Sequence, residues 1–333
     1  MIREATEKEK IIFNKLAKHP LQSWEWGEFR KKTGILITRL IESEDKKDVA
    51  SYQITWHRVP KTGRWIGYMP KSDFPSLEAI KKIGMEAKKR KAIFVKLEPN
   101  VRADKKTDYE PMSFFVHGKP LFTRFTFILS LNSSEDELFA NLNQKTRYNV
   151  RLATKKGVKI EQDNSEETFE EYWKLTEETT KRQGFYSHTK DYHKKMWKEM
   201  ISSGMGQLFK AVYEGETVSV WMVFVLNNKM YYPYGASSTK YKEVMANNLL
   251  MWEVIKYGKK MKCTEFDMWG SLGPDPDSND SWYGFHRFKQ GYGGDLVEFA
   301  GTFDLVIDPI LYKIYLFAES LRWIVLRFVK KFA

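Results

Sequence analysis

The sequence predicts an α/β (α+β) chain of two tandem domains with mixed sheets. Two observations lead there: 333 residues exceed one ordinary core, and one order of elements occurs twice. In the first half, I-L-I-T-R-L-I-E (35–42) and V-A-S-Y-Q-I-T-W (49–56) read as paired strands around a charged E-D-K-K turn. W-I-G-Y-M (65–69) is a third strand, 76–91 an amphipathic helix capped by Ser76, and A-I-F-V-K-L (92–97) the next strand. Leu77, Ile80, Ile83 and Ala87 make the apolar stripe of that helix. In the second half, strands at 207–213 and 217–226 flank E-G-E, and K-M-Y-Y-P-Y-G (229–235) follows. A helix from about Ala246 to Lys260 and the strand C-T-E-F-D-M-W (263–269) close the unit. A repeat of this length indicates a duplicated domain, not a short-period array.

Between the units, L-F-T-R-F-T-F-I-L-S-L (121–131) reads as a long strand. A helix follows with Ser134 and Glu137 as an S-x-x-E capping box, carrying Leu138 and Leu142. From Asn141 to Ile160 there are six basic residues and no acidic one: Lys145, Arg147, Arg151, Lys155, Lys156 and Lys159. Such a stripe suits a polyanion, RNA included, and equally a solvated helix face. Helices are expected over roughly 165–182 and 189–202. The stretch 310–332 is apolar but interrupted by Lys313, Glu319, Arg322, Arg327, Lys330 and Lys331. It reads as a helix packed on the first domain, or as a basic amphipathic helix touching anionic lipid.

A net charge of +12 and a pI near 9.3 fit an anionic partner: nucleic acid, a nucleotide-linked substrate or a membrane surface. The single cysteine, Cys263, excludes an internal disulfide and a Cys-rich zinc site, and points to a reducing compartment. M-I-R-E-A-T-E-K-E-K has no apolar core, so no secretion signal is expected. No uncharged apolar run is long enough to span a bilayer. No P-loop, HExxH or GxSxG occurs, and no metal is expected, although His188 and His193 lie close in sequence.

The segment W-Y-G-F-H-R-F-K-Q-G-Y-G-G (282–294) sets Lys289 between Phe288 and a bend at Gly291, Gly293 and Gly294. A cation so shielded can stabilise an oxyanion or a phosphate. By itself it is also what a surface lysine beside a core aromatic looks like. Two hairpin strands, a third strand, a helix and a strand are the order of a GNAT-type acyltransferase core, a likeness of order that fixes no chemistry. The Gly-rich pyrophosphate loop of an acetyl-CoA enzyme is missing, since A-S-S-T-K-Y-K-E-V-M (236–245) has no glycine. A donor other than acetyl-CoA is therefore expected.

Together these segments resemble the Fem family (FemA, FemB and FemX types) of aminoacyl-tRNA-dependent peptidyltransferases that build peptidoglycan interpeptide bridges. The likeness runs through L-Q-S-W-E-W-G-E-F-R (21–30), Q-K-T-R-Y-N-V-R-L-A-T-K-K-G-V-K-I (144–160), Y-Y-P-Y-G-A-S-S (231–238), F-D-M-W-G (266–270), F-K-Q-G-Y-G-G (288–294) and F-A-G-T-F-D-L-V-I-D-P (299–309). Their order and spacing carry it. It implies two GNAT-like domains: 1–127 with 302–333 for the acceptor, and 128–301 for the aminoacyl-tRNA. No coiled-coil arm is expected, because no heptads intervene between Lys145 and Lys210. It implies an aminoacyltransferase of the EC 2.3.2 type, with aminoacyl-tRNA as donor and UDP-MurNAc-pentapeptide or a lipid-linked muropeptide as acceptor. No cofactor is implied, because an aminoacyl ester is already activated. The protein is expected to be a cytoplasmic monomer, in peripheral contact with the anionic inner face of the membrane.

Residue by residue, the resemblance gives Lys289 the oxyanion or the tRNA end, with Phe288 lining its slot. Arg30 takes an acceptor phosphate where the matching pattern has lysine. A second phosphate contact, R-x-x-x-Y in the family, falls on His188 and Tyr192, so arginine has become histidine, and Arg182 is the nearby substitute. Tyr232 and Tyr234 match tyrosines of the acceptor groove. Lys145, Arg147, Arg151 and Lys155 lie on the stretch that matches the basic helix opening the family's second domain, and their charge makes them the candidates for binding tRNA. No general base is evident. Other readings are a GNAT-like N-acyltransferase with another donor or acceptor, and a non-enzymatic RNA-binding protein using the 141–160 helix.

Overall fold

In the computed structural model, which describes residues 1–103, 113–183 and 187–332 (side chains within the last helix only to residue 321), the chain forms two compact units. The first is Met1–Ser23, Gly34–Leu121 and Ala300–Ala333; the second is Trp24–Thr33 and Phe122–Phe299.

The first unit begins with β1 (Ile2–Glu4) and α1 (Lys10–Leu16). The chain then makes α2 (Trp24–Lys32), which groups with the second unit. Next come β2 (Leu36–Glu44), β3 (Lys47–Val59), β4 (Arg64–Pro70), α3 (Leu77–Lys89), β5 (Ala92–Glu98) and β6 (Val116–His117). After the second unit, β14 (Phe303–Val306) and α10 (Pro309–Phe332) complete it. The sheet order is β1-β2-β3-β4-β5-β14-β6, with β4 and β5 parallel. The charged β2–β3 turn is two residues long, Asp45 and Lys46, both with positive φ, which matches the strands' right-handed twist. Ser76 Oγ accepts from Ala79 N at 3.1 Å and starts α3. Ile80, Ile83 and Ala87 are buried as expected, but Leu77 is exposed and Ala79 faces the core instead. Trp56 lies fully buried on β3, its indole donating to Thr38 Oγ1 at 2.9 Å. Trp56→Ala is expected to cost about 3–5 kcal/mol, read as a lower denaturation midpoint at unchanged slope.

The second unit adds β7 (Phe125–Ser130), α4 (Glu135–Asn141), α5 (Gln144–Lys155), β8 (Lys159–Gln162), α6 (Glu166–Gln183) and α7 (Lys190–Ser202). It continues with β9 (Gly206–Tyr213), β10 (Glu216–Leu226), β11 (Lys229–Ser237), α8 (Ala246–Lys260), β12 (Glu265–Ser271), α9 (Tyr283–Gln290) and β13 (Asp295–Glu298). Its sheet order is β13-β7-β12-β11-β10-β9-β8. Here too a parallel pair, β11 with β12, follows antiparallel hairpins. The Ser134–Glu137 capping box forms, with Glu137 accepting from Ser134 N at 2.8 Å. Two expectations shift. The strand at 121–131 is shorter, starting at Phe125. The basic helix of 144–160 stops at Lys155, where Gly157 takes a φ of 84° and turns the chain into β8, so Lys159 and Ile160 lie on a strand.

The two parallel seams differ. β4 and β5 pair along their length, from Trp65↔Ala92 to Pro70↔Glu98. The β11–β12 pairing ends at Tyr231↔Asp267, although both strands run on. Each strand has a local reason to diverge. Pro233 cannot donate to a ladder, and β11 slips against β10 between Met222 and Phe224. On β12 the register with β7 breaks between Asp267 and Gly270, where Trp269 adopts a φ of 65°. Asp267 Oδ1 holds that break, accepting from Trp269 N at 2.7 Å and lying 2.6 Å from Thr126 Oγ1.

Candidate functional site in the second unit

Beside the opened seam lies a cavity of about 270 Å³. Trp221 of β10, Tyr232 of β11 and Phe288 of α9 form its aromatic wall, while Thr179 and Arg182 of α6 and Asn247 of α8 supply polar groups. Trp221 and Tyr232 stack at 4.0 Å with a 24° interplanar angle, and Phe288 meets Trp221 edge-on at 6.1 Å. Gly235 is required there: a Cβ would stand 2.0 Å from the Tyr232 hydroxyl oxygen. Burial pushes the Tyr232 hydroxyl well above its ordinary pKa, so it stays a neutral donor. Asn247 Oδ1 accepts from Ser219 Oγ at 2.7 Å, which fixes the amide orientation.

Lys289 does not line this cavity. It is the residue after Phe288 on α9 and turns towards broken strand β12. It is 6% exposed. Its ammonium donates to Gly270 O at 2.6 Å, with Trp269 O at 3.4 Å. The left-handed Trp269 thus helps present two successive carbonyls to one cation. Burial lowers the Lys289 pKa to about 8, partly opposed by the negative charge of Asp267. An ammonium has three donors, so one remains beyond these two carbonyls.

A second cluster surrounds Arg30 at the end of α2. Its Nη1 donates to Tyr192 OH at 2.9 Å, and the guanidinium lies over the Phe29 and Tyr192 rings at 5.8 and 5.5 Å. Among the described residues, Arg30 Nε is buried without a hydrogen-bond partner. His188 stacks on Tyr192 at 3.8 Å, and desolvation, with the charge of Arg30, lowers its pKa. A neutral ring therefore stands where the resemblance has an arginine. His193, behind it, is buried between Tyr172 OH (3.1 Å) and Ser187 Oγ (3.2 Å), and desolvation drops its pKa to about 4.

The structure sorts the remaining sequence candidates. Tyr234 packs edge-on against His193 at 5.3 Å, away from the Trp221 stack that holds Tyr232. Arg182 lines the cavity, bonded to Ser237 O at 3.3 Å, rather than joining Arg30. The neighbouring Gly184, Phe185 and Tyr186 lie outside the described residues. On α5, Lys145, Arg151 and Lys155 are exposed, with Arg151 over Phe139 at 5.2 Å. Arg147 is already engaged: it donates to Ala140 O at 2.6 Å and to Leu142 O, closing the end of α4. Lys156 donates to Glu243 O at 3.0 Å. Trp221, Thr179 and Asn247 escaped the sequence reading. Trp221 sits in an apolar strand run, and nothing local distinguishes a cavity wall from core.

The sequence profile of the FemAB family matches residues 116–200 and 204–320. A lipid II:glycine glycyltransferase of Staphylococcus aureus (strain USA300) is 25% identical over 380 residues, covering 88% of this chain and 89% of the relative. The protein of that name from strain MRSA252 is 24% identical over the same length. The aligned stretch is longer than the whole of this chain, so the relative carries residues that this chain lacks. Among solved structures, FemX superposes over 94% of this chain and 99% of its own, with 23% identity and a TM-score of 0.85. A tandem GNAT protein from the clavulanic acid biosynthesis pathway covers 91% of this chain and 97% of its own, with 8% identity and a TM-score of 0.54. Both likenesses speak for the fold, two tandem GNAT-like domains. With its family profile covering well over half the sequence, the chain belongs to the FemAB family, and by class it is an aminoacyltransferase.

Proposed function

We propose that the protein transfers an amino acid from aminoacyl-tRNA to the stem-peptide amine of a peptidoglycan precursor, extending an interpeptide bridge. One observation carries the reading: a buried lysine fixed at the open end of a splayed parallel seam, next to an aromatic cavity. The relatives' activity on lipid II favours a lipid-linked muropeptide as acceptor.

In this reading the acceptor amine attacks the ester carbonyl carbon, and its electron pair forms the new C–N bond. The carbonyl oxygen becomes an oxyanion, and the remaining donor of Lys289 stabilises it. Collapse breaks the bond to the terminal ribose oxygen, which leaves with the proton shed by the amine. Phe288, Trp221 and Tyr232 wall the slot for the terminal base of the donor, so that its ester extends past Phe288 to the neighbouring Lys289, and they exclude water that would hydrolyse it. Tyr234, behind the stack, backs the acceptor groove. Arg30, with Tyr192 and His188, takes an acceptor phosphate, and Arg182 approaches the substrate from the cavity rim. Lys145, Arg151 and Lys155 bear on donor phosphates; Arg147 contributes mainly by fixing α4 to α5.

The test is to incubate the protein with glycyl-, alanyl- or seryl-tRNA and UDP-linked or lipid-linked pentapeptide. A peptide mass increment abolished by prior RNase treatment is expected. No increment with any pair would overturn the reading. Gly235→Val is expected to drive Tyr232 off Trp221 and lower transfer by about tenfold or more, because a misplaced wall misplaces the ester. Steady-state kinetics with a melting curve check this: a rate loss without a matching loss of folded protein is the expected pair.

A further inference from the structure

Helix α10 carries an apolar line facing away from its own unit. Ile310, Ile314, Phe317 and Leu321 are 73%, 57%, 68% and 46% exposed, at spacings of four, three and four residues. That spacing places them on one face of a helix. The opposite face is used: Tyr312 and Tyr315 pack on Phe94 of β5 at 5.2 and 5.4 Å, and Tyr312 OH donates to Asp304 at 2.9 Å. The line is therefore an outer face of a docked helix, not a core stripe that has come loose. Scattered exposed apolar residues need no explanation, but four in register on one helix do.

Charge selects the occupant. Lys313 is exposed one position before Ile314. In sequence, Ile324 and Phe328 continue the apolar spacing, and Arg322, Arg327, Lys330 and Lys331 add basic groups. The one acidic residue of the helix, Glu319, lies 3.5 Å from Lys119. The helix thus combines an apolar face with a basic excess, while no helix among the described residues is long and apolar enough to cross a membrane.

We propose that the outer face of α10 is a docking surface for an anionic phospholipid bilayer, lying flat at the headgroup level with Ile310, Ile314, Phe317 and Leu321 inserted and the basic excess of the helix sequence favouring anionic headgroups. A lipid-linked acceptor would give this surface a use in the transfer reaction.

The test is flotation of the full chain with vesicles of phosphatidylglycerol mixed with phosphatidylcholine, and with phosphatidylcholine alone, at low and high salt. Wild type is expected to float with the anionic vesicles, to float less at high salt, and to stay behind with the neutral ones. Ile314→Glu/Phe317→Glu is expected to weaken partitioning by roughly tenfold or more, with an unchanged melting curve and unchanged transfer to a soluble acceptor. Should the double variant melt early, Phe317→Ser alone carries the comparison. Absence of wild-type binding to anionic vesicles overturns the proposal. So does a wild-type dimer in sedimentation that the variant converts to monomer without any vesicle binding, because the face would then serve a second copy.

Discussion

Lys289→Met is expected to lower the transfer rate by about a hundred- to a thousandfold, which is roughly 3–4 kcal/mol of transition-state stabilisation. The fold should survive. Burying this cation already costs stability at neutral pH, because its pKa falls from 10.5 to about 8. The unfolded chain holds the proton up to its ordinary pKa and the folded chain releases it near 8. Between these values the unfolded state binds more protons, so stability rises with pH; below 8 the full penalty of about 3 kcal/mol is present. Methionine removes that penalty together with the bonds to Gly270 and Trp269, so the two losses offset and the melting temperature should move little. Activity runs the other way. An oxyanion needs the charged lysine, so wild-type transfer should decline as pH rises through about 8, a limb absent from the variant's residual rate. The acceptor amine adds its own rising limb to both proteins, so the ratio of wild-type to variant rate is the readout: a ratio that climbed through this range would mark Lys289 as a base and overturn the electrostatic role.

Arg30→Met is expected to raise the acceptor KM by roughly ten- to a hundredfold, with kcat little changed, as fits the loss of about 1.5–3 kcal/mol from a charged hydrogen bond made equally in ground and transition states. Arg30 is held for this: the guanidinium lies against the edge-to-face pair of Phe29 and Tyr192, and the Tyr192 hydroxyl accepts from it. Arg30→Lys keeps the charge and loses the planar fork, so an intermediate KM is expected. The readout is KM against kcat with the UDP-linked acceptor, and a kcat loss at constant KM would remove Arg30 from acceptor binding. His188 cannot supply the missing charge near neutral pH, because its burial and the Arg30 charge both favour the neutral ring.

Much of the fold was legible because its signals are local. The Asp45–Lys46 turn, the Glu214–Gly215 turn, the Ser76 cap and the Ser134–Glu137 box each act within a few residues, and each sits where the pattern puts it. The length of the basic helix was less legible. Its charges run on past Lys155, but the positive φ of Gly157 ends the helix, and charge carries no signal for that.

The site divides along the same line. Residue type and short spacing suffice for the repeated element order, the lack of glycine in 236–245, and the Phe288–Lys289 pair. That one parallel seam closes and the other opens is a property of the folded sheets. That difference arises where Pro233 interrupts β11 and Asp267 holds the break in β12, on strands that meet only in the folded sheet. Only the fold, likewise, buries Lys289 against two carbonyls, sets Trp221 beside Tyr232, and commits Arg147 to the end of α4. Burial and partner choice come from long-range packing, and packing is what a linear pattern of residue types cannot encode one position at a time.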